Sequence, residues 1–204
     1  IELAPSPEDA DLVIVNTCAF IEDAREESVE MILSACRLKE EGRCTAVLVA
    51  GCLSQRYRDD LQESLPEVDG FIGLDELDEI GGIARRLCRG EHDVVAVSDE
   101  AHRLYEPGAA GVVFTGGPYA YLKIAEGCNH RCAFCAIPSI RGTYRSRSVD
   151  SIAAEAERLL EKGFRELVLI SQDTTSYGRD LDDGSDLPAL LRALGSIGGD
   201  FWVR

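Results

Sequence analysis

Cys128-Asn129-His130-Arg131-Cys132-Ala133-Phe134-Cys135 places three thiols in one short stretch, directly after an apolar run that reads as a strand. The spacing is C-x3-C-x2-C. Thiolates are the usual ligands of iron–sulfur clusters. Three of them can hold three corners of a cubane cluster, which leaves the fourth iron open. A ligand with amino and carboxylate groups can chelate that iron, and an electron from the cluster can then break a bond in it. Two other readings stand beside this one. A zinc site needs a fourth local Cys or His. His130 is the nearby candidate, but it lies between two of the thiols and would reach the same metal awkwardly. Buried structural cysteines are the second reading. His130 itself reads as a solvated loop residue.

The chain carries eight cysteines in 204 residues. A secreted chain would use them as disulfides, but this one is long and well patterned, so thiolate metal binding fits better. Hydrophobic residues make up 45%, enough for a sizeable core, and charged residues 28%. No apolar run approaches a membrane span and no secretory signal is visible, so a cytoplasmic protein without a membrane partner is expected. The chain opens on Ile1 and closes on Phe201-Trp202-Val203-Arg204, the start of a strand, and so is expected to be a piece lacking both ends. Its net charge of −16 is uneven: residues 1–110 hold 25 acidic and 10 basic side chains, residues 111–204 hold 12 and 11. An acidic first half does not suit a phosphate backbone, so nucleic acid is not expected here. It does suit a basic protein partner, or simply solubility.

These thiols must be positioned by regular elements. Leu12-Val13-Ile14-Val15 and Ala46–Ala50 read as buried parallel strands. Each runs into a loop with a cysteine, Cys18 and Cys52. A helix is expected over 22–41, with Val29, Ile32, Leu33 and Cys36 on its apolar face, acidic residues at its start and Gly42 ending it. Further helices are expected over 54–64 and 76–89, with strands near Phe71-Ile72 and Val94–Val97. The alternation indicates an open α/β domain over 1–98. Residues 99–118 read as a linker with a strand near Val112–Phe114. A second βα pattern follows: strand Tyr119–Ala125, helix 151–162 capped by Asp150, strand Leu167–Ile170, helix Leu187–Ile197 and a strand from Phe201. Residues 119–204 thus open a (β/α) barrel.

With an aromatic Phe134 before its last cysteine, the array resembles the radical S-adenosylmethionine (SAM) superfamily. Asn16-Thr17-Cys18-Ala19-Phe20-Ile21, Ala24–Ser28 and Gly51-Cys52-Leu53-Ser54-Gln55 look like the N-terminal domain of its methylthiotransferases. Glu126-Gly127-Cys128, Ile137-Pro138-Ser139, Arg141-Gly142 and Ser146-Arg147 continue the match. Ile170–Gly178, with Ser171-Gln172-Asp173, resembles the branch that acts on an aspartate of a small-subunit ribosomal protein, number twelve. The tRNA-modifying branch usually carries Gly-Gln-Asn there.

The resemblance implies an N-terminal methylthiotransferase domain followed by the start of a radical SAM partial barrel, both α/β. It implies two 4Fe-4S clusters: a SAM-cleaving one on Cys128, Cys132 and Cys135, and an auxiliary one to which Cys18 and Cys52 contribute. The family's third auxiliary cysteine would lie ahead of Ile1. One SAM donates a methyl group to a sulfur, another is reductively cleaved, and a methylthio group joins the aspartate β-carbon. No catalytic side chain is expected beyond the cluster ligands. Ser171, Gln172 and Asp173 follow a barrel strand, where barrel sites form. They either hold the SAM amino group or form an Asp-capped turn, and Phe134 is a further SAM candidate. Arg141, Arg145 and Arg147 are candidates to meet either the SAM carboxylate or the acidic domain, and Arg145 reads equally as an ordinary surface arginine. Cys36, Cys44 and Cys88 read as buried free cysteines. The implied partners are a basic ribosomal protein and a flavodoxin- or ferredoxin-type electron donor. The competing readings are the tRNA-modifying branch, a non-catalytic iron–sulfur or zinc module, and a fragment inactive by itself.

Overall fold

The structure is a computed structural model, and it describes residues 2–104 and 116–204. The chain divides into two units: residues 1–102 with 133–141, and residues 103–132 with 142–204. The expected strand near Val112–Phe114 lies outside the described residues.

In the first unit, β1 (Leu12–Thr17), β2 (Ala46–Gly51), β3 (Gly70–Ile72) and β4 (Val94–Ala96) form a parallel sheet in that order. All six residues of β2 are buried, as a strand covered on both faces must be. Its alternation assigns the faces. Val47 and Val49 pack with Ile32, Ala35 and Cys36 of α1 (Glu22–Glu40) and with Leu53 and Leu61 of α2 (Cys52–Ser64). Ala46, Leu48 and Ala50 pack with Ile83 and Leu87 of α3 (Ile80–Leu87). The buried face of α1 is Ser28, Ile32, Ala35 and Cys36; the expected Leu33 is 40% exposed. Ser28 takes the inward position because its hydroxyl bonds the backbone at Cys18 and Ala24.

The second unit runs β5 (Tyr119–Lys123), α5 (Val149–Glu161), β8 (Glu166–Ile170), α6 (Leu187–Gly195) and β9 (Trp202–Val203), with the strands parallel in the order β5-β8-β9. Leu122 and Leu167 pack with Ile152 and Ala156 of α5 and Leu190 and Leu194 of α6. This is the βαβαβ start expected for a barrel. The expected single strand Tyr119–Ala125 is in fact two. After Lys123 the chain leaves the sheet, and β6 (Ala125–Glu126) pairs antiparallel with β7 (Arg145–Ser146). The cap of α5 also differs: Ser148, not Asp150, accepts from Ser151 N. Among the described residues no helix is long and apolar enough to cross a membrane.

Residues 133–141, which sequence patterning assigns to the second domain, include the short helix α4 (Ile137–Arg141). They cluster with the first unit. Ile140, 1% exposed, and Ala136 belong to its larger core.

Candidate functional site

Parallel register brings Cys18 and Cys52 to neighbouring strand ends. Thr17 of β1 pairs with Gly51 of β2, and each cysteine is the next residue. Several bonds fix this edge. The buried Thr17 hydroxyl donates to Ala50 O at 2.7 Å and accepts from Leu53 N at 3.2 Å. Ser28 Oγ accepts from Cys18 N at 3.1 Å and donates to Ala24 O at 2.7 Å. Arg56 donates to Ala19 O at 2.8 Å. Gly51 has φ +102°, and a Cβ there would lie 2.8 Å from Asn16 Oδ1 and 2.9 Å from Thr17 O. Only glycine turns the chain into α2 so tightly. Arg141 of α4 donates to Cys52 Sγ at 3.2 Å, a contact with no sequence signal. Cys18 is exposed and Cys52 half-buried. Cys36 and Cys44 are buried in the core, where burial pushes their thiols above the ordinary value. Cys88 is exposed at the end of α3, a correction to its expected burial.

The second cysteine segment is held differently. Gly127, at φ +77°, has carbonyl oxygens of Thr143 and Gly142 at 2.2 and 2.7 Å from where a Cβ would be. Cys128 is buried, and its N–H donates to Gly142 O at 3.2 Å. Asn129 Oδ1 accepts from Tyr144 N at 2.9 Å. His130 is exposed, as expected, yet not merely solvated: its Nε2 donates to Asp173 Oδ2 at 2.9 Å. Cys132 is exposed and Cys135 half-buried. Phe134 is 89% exposed and supports no core. Among the described residues no three His, Cys, Asp or Glu side chains are gathered into a metal-holding set. By donor chemistry the segment does fit a cluster, because all eight cysteines are free thiols. Thiolate convergence and metal binding are coupled.

Of the SAM candidates after β8, Asp173 forms the capped turn. Its carboxylate accepts from Ser176 Oγ at 2.5 Å, Thr175 Oγ1 at 2.7 Å and Thr175 N at 3.2 Å. The Ser176 and Thr175 bonds, with His130 behind them, lower its pKa to about 2. Ser171 Oγ is within 3.2 Å of Thr174 Oγ1. Gln172 is different: its Oε1 is buried without a hydrogen-bond partner among the described residues. Such an orphaned acceptor is costly unless a ligand meets it.

Arg147 lies in the interior of the second unit. It is fully buried, and donates to Lys123 O and Glu155 Oε2 at 2.6 Å each and to Ser151 Oγ at 2.9 Å. Tyr177 OH donates to Arg147 O at 2.7 Å, and Ser146 is tied to Asp180 at 2.7 and 2.6 Å. Arg145 donates to Thr143 O and Arg103 O.

Known proteins match this chain in both parts. Residues 1–73 match the family described as "Uncharacterized protein family UPF0004", and residues 122–198 match the Radical SAM superfamily. A ribosomal protein uS12 methylthiotransferase RimO of Natranaerobius thermophilus is 47% identical over 96% of this chain and 44% of its own length. The protein of that name in Trichlorobacter lovleyi is 45% identical over 100% of this chain and 45% of its own. The chain thus spans under half the length of these relatives. In fold it is similar to TsrM of Kitasatospora setae, a radical SAM methyltransferase solved with tryptophan and a SAM analogue. The TM-score is 0.55 at 15% identity, over 91% of this chain and 39% of that one. A UPF0004 segment and a radical SAM segment in one chain, with relatives this similar across it, mean that the chain belongs to the radical SAM methylthiotransferase family.

Proposed function

We propose that the chain carries the cluster- and SAM-binding portion of an enzyme that adds a methylthio group to the β-carbon of an aspartate in ribosomal protein uS12. The observation that carries the substrate is the identity of 45–47%, across 96% or more of the chain, to relatives named as ribosomal protein uS12 methylthiotransferases. The charge agrees: the acidic first half would draw in a Lys- and Arg-rich ribosomal protein and speed its encounter. Cys128, Cys132 and Cys135 would hold the SAM-cleaving 4Fe-4S cluster, in a second domain over 119–204. Cys18 and Cys52, in a first domain over 1–98, would contribute to an auxiliary one. When bound, a cluster with an open iron supplies the electron that cleaves SAM.

The chain's own residues bind and orient. Gln172, with its orphaned carbonyl oxygen, is the acceptor best suited to the SAM ammonium. Asp173 is committed to its turn and shapes the loop instead. The exposed ring of Phe134 is available to stack on a ligand. A flavodoxin- or ferredoxin-type donor and a cytoplasmic setting complete the reading.

The test uses the complete enzyme with SAM and reductant. Protein uS12 and an isopentenylated tRNA anticodon arm are offered in parallel, and products are read by mass spectrometry. Addition to an aspartate of uS12 alone is expected, and addition to the tRNA alone would overturn the substrate. Cys132→Ala should abolish deoxyadenosine formation; persistence of that product would remove the cluster assignment.

A further inference from the structure

We propose that His130 is a positioning residue: by its bond to Asp173 it fastens the loop that carries Cys128 and Cys132 to the turn that follows β8. The inference rests on the cluster assignment above for its purpose, but its geometry stands on the second unit alone. Three successive loop residues each have a tether far along the chain. Cys128 N donates to Gly142 O, Asn129 Oδ1 accepts from Tyr144 N, and His130 Nε2 donates to Asp173 Oδ2. The first two tethers lead to residues just ahead of β7, and the third leads to the loop after β8. Its anchor is rigid, because Asp173 is itself fixed by Thr175 and Ser176. Gln172, whose Oε1 has no partner among the described residues, is the residue next to that anchor. One bond therefore sets the spacing between the thiol-bearing loop and the orphaned acceptor. A loop pinned before the ion arrives loses less entropy on binding.

His130 lies between two thiols in sequence, so a role as a metal ligand is the natural rival. Its Nε2 is already committed to a carboxylate, which favours the positioning role over the ligand role.

The experiment compares His130→Ala, His130→Gln, Asp173→Asn and the double change His130→Ala/Asp173→Asn in the full chain. The glutamine keeps an N–H donor for Asp173. Amide hydrogen exchange is read first, without iron. In His130→Ala, amides of residues 128–132 should exchange about threefold to tenfold faster, as expected for one lost hydrogen bond at a partly exposed site. Those of α5 and β8 should be unchanged. The glutamine variant should stay near wild type. At residues 128–132 the double change should do no more than either single change. Unchanged exchange in His130→Ala, or full additivity in the double change, would overturn the tether. After anaerobic reconstitution, a chelator should strip iron from His130→Ala faster than from wild type, with the glutamine variant restoring the rate. Equal stripping rates would show that the tether does not serve the cluster. If wild type itself took up no iron, the cluster assignment would fall, while the exchange data would still judge the tether.

Discussion

The two cysteine regions are built by opposite means. At Cys18 and Cys52, strand register does the positioning: Thr17 and Gly51 are paired, so the next residues emerge side by side. At Cys128–Cys132 no strand pairing among the described residues reaches the thiols, and side chains and turns hold the loop instead. Yet both use one device, a left-handed glycine immediately before the cysteine, Gly51 and Gly127. Each turns the chain sharply where backbone from another segment passes close by. Register survives the loss of a side chain, whereas a tethered loop depends on each tether, so the second region should be the more sensitive to substitution.

The largest effect is expected at Arg147, whose N–H and guanidinium bond Ile124 O and Lys123 O just ahead of the second cysteine loop. Arg147→Ala leaves Glu155 buried without its cation and should cost about 3–5 kcal/mol in denaturant unfolding. A loss below 1 kcal/mol would mean that the loop base is held elsewhere. Next, Gly127→Ala should destabilise by about 2 kcal/mol or more, because positive φ and a backbone clash add. Gly51→Ala should cost less, since the nearest atom there is a side-chain oxygen, 2.8 Å away, rather than a carbonyl at 2.2 Å. Equal thermal shifts would erase the contrast between the two regions. Thr17→Val, which removes a buried hydroxyl at the register-built site, should cost about 1–3 kcal/mol. Its partner β2 should keep slow amide exchange, because the strand ladder is untouched.

The smallest effect is electrostatic. The folded pKa of Asp173 is lowered to about 2, below its ordinary value. The stability it contributes is therefore present above the ordinary carboxylate pKa and is lost as pH falls towards 2. NMR titration of the carboxylate should show it ionised at pH 3, and His130→Ala should move its midpoint up. A midpoint at the ordinary value would show that the turn does not hold Asp173 in solution.

The strands and helices were legible because continuous apolar runs such as Ala46–Ala50 admit few placements. Cys18 and Cys52 could be put at strand ends for the same reason. Legibility failed where polar groups act over long separations. Leu33 looked like a core residue and Ser28 did not, yet the serine is inside because it bonds Cys18. Arg147 carries a charge that suggests the surface, and its burial depends on Glu155 and on a backbone carbonyl at Lys123. Nothing local connects His130 with Asp173 or Arg141 with Cys52. Ser148 and Asp150 are both competent caps, and only the start of the helical bonds chooses between them.

Ile140 has a consequence for synthesis. It sits in the core that also holds Val15, Ile32 and Val49, but it is made long after His102, the last residue of the unit's main stretch. Chains emerge N-terminus first and tend to fold domain by domain. Here the first unit cannot finish its core until the cysteine loop of the second has also left the ribosome. The order of translation therefore delays the final packing of the first sheet until all eight cysteines have been made.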